Sequence, residues 1–362
     1  MKKSKTFFAC AMLAALASCS NDHVLSQQSP TPSDPDVINI VAASSKPVTK
    51  AANVAANLQD EQFADDAFIN VYLSEVIPTS GGSPSGVTYG SPSKYKVTGD
   101  NTHGGKTLAY QGSNSPIFPV NGNGVKAYAL YPAIESEIDI KKESPSFTVQ
   151  LDQSDATGYK KSDLMSGTND YNTRNNGNAI QDFEGTKKPN VVNLYFKHHL
   201  SKIVVKLLLG QGMPSGSLTN AKINILNVNK TIGITHGERY ITTGVASEPL
   251  GEDDKIQLGS YDETNGNAGI IVPQYVLKGT KFLEVILTNA GNAKYVYKLE
   301  DKDEEPDDDS TNKMHFLPGY VYNYTLTLSA GNIVVVSTSI EEWNSKDISG
   351  DANLEPEPEP EP

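Results

Sequence analysis

Leu194-Tyr-Phe-Lys-His-His-Leu-Ser-Lys-Ile-Val-Val-Lys-Leu-Leu-Leu209 is the strongest apolar segment of the chain, and its reading decides the fold. Leu200, Ile203, Val204, Leu207 and Leu208 fall on a helical stripe, whereas Ile203, Val205, Leu207 and Leu209 fall on one face of a strand. Its aromatic and β-branched content and the Gly210/Gly212 stop favour the strand. The same character extends outward. Residues 68–73, 117–120, 125–131 and 147–151 read as strands before it, and 223–225, 270–272, 282–288, 320–328 and 333–340 after it. In the stretch 320–328, Tyr320, Tyr322, Tyr324, Leu326 and Leu328 share one face and Thr325 and Thr327 the other. Residues 51–66 read as a short helix or a loop, and the Gly/Ser/Pro-rich 78–106 as a long hairpin or decorated loop. Short strands, Gly/Asn turns and few helical patterns predict an all-β protein of two β-sandwich domains in tandem. The polar stretch 166–189 places the boundary between a domain at 37–188 and one at 189–346.

The N-terminus reads as an export signal. Lys2, Lys3 and Lys5 precede a short apolar run, 7–16, that is too short to span a bilayer stably. Leu16-Ala17-Ser18-Cys19 fits a lipoprotein signal peptide at 1–18 with lipidation of Cys19; the alternative is an ordinary secretory signal that contains a cysteine. Residues 19–36, rich in Ser, Gln, Pro and Asp, then form a lipidated flexible tether. Cys10 leaves with the signal, so the exported chain has neither a free thiol nor a disulfide, which excludes thiol catalysis and cysteine-ligated metals. The formal charge of −13 argues against nucleic acid and anionic bilayer surfaces as partners. Much of it is local, in the acidic run 300–309 and in a Glu-Pro tail within 347–362.

After the tether comes one short apolar strand, Val37-Ile38-Asn39-Ile40-Val41, and then a lysine-bearing loop, Ser45-Lys46-Pro47-Val48-Thr49-Lys50. An anchor, a lone strand and a cut site in that order suggest a removable strand.

No catalytic motif competes with that reading, and a glycan-active enzyme using a carboxylate pair is the minority alternative. His198 and His199 are adjacent, and on a strand they point to opposite faces, so one buried and one exposed structural histidine is expected. Asp307-Asp308-Asp309 lacks the spaced ligands and turn glycine of a calcium loop. Neither a nucleophile elbow, a phosphate loop nor a dinucleotide fingerprint occurs. The single tryptophan, Trp343, reads as a core or strand-end anchor rather than a ligand platform. No enzyme activity, metal or cofactor is expected.

These segments together resemble a family. The lipobox at Cys19, Phe118-Pro119 through Ala127-Tyr128-Ala129-Leu130-Tyr131-Pro132, Asp163-Leu164-Met165, the run 196–207, Ile270-Ile-Val-Pro-Gln274, Pro318-Gly-Tyr-Val-Tyr-Asn-Tyr324 and Ile340-Glu-Glu-Trp343 are similar, in order and spacing, to the fimbrillin-like lipoproteins of Bacteroidales, the subunits of type V pili. The resemblance implies two transthyretin-like β-sandwich domains, export to the outer membrane and cell surface as a palmitate-bearing lipoprotein, and cleavage by a trypsin-like protease. The cut releases the first strand and opens a groove for a strand of another pilus subunit, which is β-augmentation. Here Ile38, Ile40 and Ala42 would fill the groove before cleavage. Lys46 precedes Pro47, whose ring removes the N–H and restricts the backbone, so cleavage is expected at Lys50-Ala51. Ile333 and Val335 lie in the late candidate for a donor strand. The resemblance further implies a stalk, tip or accessory position in an adhesive fimbrium; Asp309-Ser310-Thr311 is similar to an O-glycosylation motif of this phylum. The alternative is a monomeric surface lipoprotein that binds a glycan or a protein through loops such as 78–106.

Overall fold

The computed structural model describes residues 36–44, 63, 67–77, 92–100, 105–133, 146–169, 185–188, 190–236, 241–243, 255–264, 266–300, 312–330 and 332–343. The chain is nearly all β. Its first part contributes β1 (Ile40–Ser44), β2 (Phe68–Glu75), β3 (Ser93–Asp100), β4 (Gly105–Tyr110), β5 (Val125–Tyr131), β6 (Ser146–Thr148), a single turn-and-a-half helix α1 (Ala156–Lys161), β7 (Met165–Thr168) and β8 (Val192–His198). Seven of these strands close into a ring in the order β1-β4-β3-β2-β5-β7-β8. Alternation fills it: Ile69 and Val71 of β2, Tyr95 and Val97 of β3, Ala127 and Ala129 of β5, and Val192, Leu194 and Phe196 of β8 form one buried cluster.

The second part contributes β9 (Ser201–Leu209), β10 (Lys222–Leu226), β11 (Thr231–His236), β12 (Ile241–Thr243), β13 (Lys255–Ser260), β14 (Asn267–Ile271), β15 (Gln274–Leu277) and β16 (Lys281–Leu287). It ends with β17 (Ala293–Lys298), β18 (Lys313–Phe316), β19 (Tyr320–Ser329) and β20 (Asn332–Glu342). Two four-stranded sheets, β13-β10-β16-β17 and β14-β9-β19-β20, share one core of Ile223, Ile225, Phe282 and Val285 against Ile203, Val205, Leu207, Tyr324 and Leu326. β15 pairs with β18, and β6 crosses over to pair with β11.

The decisive apolar run is two strands, not one. β8 pairs with β7 and β1 in the ring, whereas β9 pairs with β14 and β19 in the second half. The break falls at His199-Leu200, where the backbone is bound from both sides. His199 N–H donates to the Leu164 carbonyl at 3.0 Å, and the Leu200 carbonyl accepts from Gly319 N–H at 2.8 Å. Sheet membership therefore changes there and not at 188/189, because β8 is needed to close the ring. In β9, Ile203, Val205 and Leu207 face inward as the strand pattern requires, while Leu209 at its end is exposed.

Two other expectations change. Residues 117–120 are not a strand: Ile117 makes an isolated bridge to Val37, and Pro119 to Gly122 close a turn with Val120 at its tip. The two histidines are both buried, since His199 lies in the break and strand alternation stops at His198. Of the stretch 78–106, the described part is the β3–β4 hairpin.

Candidate functional site: the slot filled by β1

β1 sits between two strands, β4 and β8, that are not paired with each other among the described residues. On one side it pairs antiparallel with β4, Ile40 opposite Leu108 and Ala42 opposite Lys106. On the other it pairs parallel with β8, Ile40 opposite Val192 and Ser44 opposite Phe196. A parallel pair between distant segments has no hairpin to fix its register, so the side chains must do so. Ile38, Ile40 and Ala42 point into the ring, and Ile40 is only 1% exposed. Burying each isoleucine contributes roughly 1.5–3 kcal/mol. The chain leading into β1 is held as well. Ile38 N–H donates to the Pro116 carbonyl, Phe118 N–H to the Asp36 carbonyl and Val192 N–H to the Asn39 carbonyl, at 2.8, 2.8 and 2.9 Å. Lys188 pairs with the Asp36 carboxylate.

The site has a plug that sequence reasoning missed. Phe63 is buried edge-on against Tyr131 at 5.1 Å and Phe196 at 4.7 Å between ring centroids. Gly167 gives Phe196 room, because a Cβ there would lie 2.9 Å from that ring. Phe63 is the only aromatic between Ser44 and Phe68, a signal that the helix-or-loop reading of 51–66 passed over. It joins β1 from the far side of the lysine loop, so Ser44 and Phe63 flank the segment that carries Lys50. That Leu108, Val192 and Leu194 are the partners of β1 had no local signal, although Leu194 opens the apolar run read as a strand.

The end of the ring nearest the second half is built around the histidine pair. Asp155 caps α1 by accepting from Gly158 N–H at 2.7 Å, and the helix delivers Asp163 to His198, whose Nδ1 lies 2.8 Å from the carboxylate. The His198 ring stacks on Trp343 at 3.8 Å and 9°. Trp343 is therefore the strand-end anchor expected. His199 Nε2 lies 2.7 Å from Ser166 Oγ, and burial, with the neighbouring Lys197 and His198 charges, pushes its pKa down to about 3. Of these contacts, the His198–Trp343 stack joins the two halves.

Ile333 lies opposite Leu328 and Val335 opposite Leu326, both in β20 as the edge partner of β19. Cys19, Lys46, Lys50, Ala51, the acidic run after residue 300 and the Glu-Pro tail lie outside the described residues.

Comparison with known proteins bears on most of the chain. A family model described as fimbrillin-like matches residues 49–343. Among solved structures, the chain is similar to a candidate cell adhesion protein from Bacteroides uniformis, at 18% identity, with 87% of this chain and 100% of that one covered and a TM-score of 0.53. A candidate cell adhesion protein from Bacteroides ovatus gives 15% identity, 87% and 100% coverage and a TM-score of 0.55. At these identities the likeness is one of fold. No curated protein matches.

Proposed function

The chain belongs to the fimbrillin-like family, and on that premise we propose that it is a type V fimbrial subunit exported as a lipoprotein, matured by cleavage after Lys50 and assembled by strand exchange at the β1 slot. A pilus or adhesion subunit at the cell surface is what the family implies; the lipid on Cys19, the outer membrane, the trypsin-like protease and the exchange are the finer proposal. So is the description of both halves as transthyretin-like sandwiches, which the closed ring and the paired four-stranded sheets support.

One observation carries the reading. The strand that lies between the lipidation signal and the lysine loop is an interior strand whose Ile38, Ile40 and Ala42 complete the core of the ring. Cleavage at Lys50-Ala51 severs it from the body while Phe63 stays behind. Its departure would expose the edges of β4 and β8 together with an apolar trough, an aggregation hazard unless a partner strand fills it. If the chain also donates, Ile333 and Val335 are the side chains proposed to enter a partner's slot, and β20 must then leave β19.

A lysine-cleaving protease tests the proposal. A single nick at Lys50 followed by SDS-resistant ladders is expected, and Lys50→Ala abolishes both. Normal processing of that variant sinks the maturation step; a nick that yields monomers only favours a non-polymerising surface binder.

A further inference from the structure

Strand directions sort the ring into two poles. β1 enters at Asp36 and leaves at Ser44, and β4, β5, β2 and β8 fix which loops accompany each end. At the Ser44 pole lie Tyr131, Met165 and His198, against the second half. At the Asp36 pole lie Ile117, the Pro119 to Gly122 turn, Ile77 just past β2, and Lys187 and Lys188 ahead of β8.

The Asp36 pole carries the three most exposed large apolar side chains among the described residues: Val120 at 99%, Ile77 at 64% and Ile117 at 58%. The turn that presents Val120 is braced. Glu75 accepts from Asn121 Nδ2 at 2.7 Å and from Asn123 Nδ2, and Asn121 Oδ1 accepts from Asn123 N–H at 3.1 Å. Those side-chain bonds hold the Glu75 carboxyl below the usual carboxylate range. A valine held fully in water by a fixed turn is unfavourable for an isolated domain, and exposed apolar residues gathered at one pole mark a contact surface.

The occupant follows from where the chain goes. Cys19 lies seventeen positions before Asp36, and on the tether reading of 19–36 that spacing has an r.m.s. reach of roughly 20–25 Å. Resting on the lipoprotein reading above, we propose that the Asp36 pole docks on the lipid surface to which Cys19 is anchored, with Val120, Ile77 and Ile117 dipping into the headgroup boundary before cleavage. One acyl anchor with a second apolar contact holds a protein in a fixed orientation better than the anchor alone. Ser44, the last described residue before the lysine loop, lies at the opposite pole, away from the lipid.

The test uses full-length lipidated protein on phosphatidylcholine vesicles, whose neutral headgroups remove the chain's net charge from the outcome. With Cys19 acylated, an introduced thiol is unique, so Val120→Cys and the exposed Thr98→Cys, towards the opposite pole, each take one environment-sensitive fluorophore. The label at position 120 is expected to shift to the blue and to be quenched by spin-labelled lipids, and the label at 98 to do neither. Retention on vesicles with both labels unshifted overturns the docking proposal alone. A blue shift at 120 without vesicles assigns the pole to a protein contact and overturns it too. Loss of the protein from the vesicles removes the Cys19 anchor and the docking with it.

Discussion

β1 and β20 are the first and last strands among the described residues, and they are held in opposite ways. β1 has five residues and two neighbours, one antiparallel and one parallel, and its alternate side chains are core. β20 has eleven residues and one neighbour; it runs along the rim of its sheet and is fastened at its end by Trp343, whose N–H donates to the Gly319 carbonyl at 2.6 Å. The short strand is thus the structurally necessary one. Its loss opens two edges and empties a core, whereas loss of the long strand moves an edge by one position.

The largest expected effect breaks that comparison if it is wrong. Ile40→Asp places a carboxylate in an apolar ring interior and should destabilise the uncleaved first half by more than about 4 kcal/mol, leaving it largely unfolded. Ser337→Asp, on the exposed side of β20, should stay within about 0.5 kcal/mol. Urea unfolding of both variants decides it; equal losses would mean that β1 is no more central than the rim. Next in size is Trp343→Ala. The indole Nε1 has no hydrogen-bond partner among the described residues, so what is lost is packing on His198. A loss of about 3–5 kcal/mol is expected, with β20 exchanging its amide hydrogens faster than β19. Unchanged protection along β20 would show that the tryptophan is not its fastening.

Much of this contrast was legible in the residues. The alternation at 320–328 located β19, and the short apolar runs at 68–73 and 125–131 located β2 and β5, which are buried on both faces. The role of Ile38 and Ile40 as the side chains that fill the groove came from the family resemblance rather than from alternation, and they are buried in the ring. What was not legible is pairing. Nothing in Val192-Asn193-Leu194 states that it lies parallel to a strand some 150 residues earlier, so β8 was assigned to the wrong side of the division. The break at His199-Leu200 was hidden because each side of it is apolar and extended, and only the two backbone bonds from Leu164 and Gly319 reveal it. Residues 117–120 looked like a strand because Ile, Phe and Val are strand formers, yet Pro119 and Gly122 make a turn there. The residues proposed for lipidation and cleavage are the reverse case: motif chemistry points to Cys19 and Lys50, and they lie outside the described residues.

The junction between the two strands' halves supplies the smallest of these effects and the one with a pH signature. His199 titrates near 6.5 in an unfolded chain and near 3 when buried beside Ser166. Between those values the unfolded state binds a proton that the folded state refuses, so stability falls as pH falls, by about 1.4 kcal/mol per unit. The contribution is complete above pH 6.5 and is lost through the window from there down to about 3. Carboxylates titrate across the lower part of the same window, so the informative quantity is a difference between two proteins. His199→Gln keeps an amide within reach of Ser166 and cannot titrate. From pH 7 to pH 4.5 the wild type should lose about 2–3 kcal/mol more than this variant. The loss should appear in probes of β8 and β9 together, since His199 is the residue at which one becomes the other. Parallel pH profiles would mean that the imidazole is reached by water, and that the end of the ring where β8 passes into β9 is not dry.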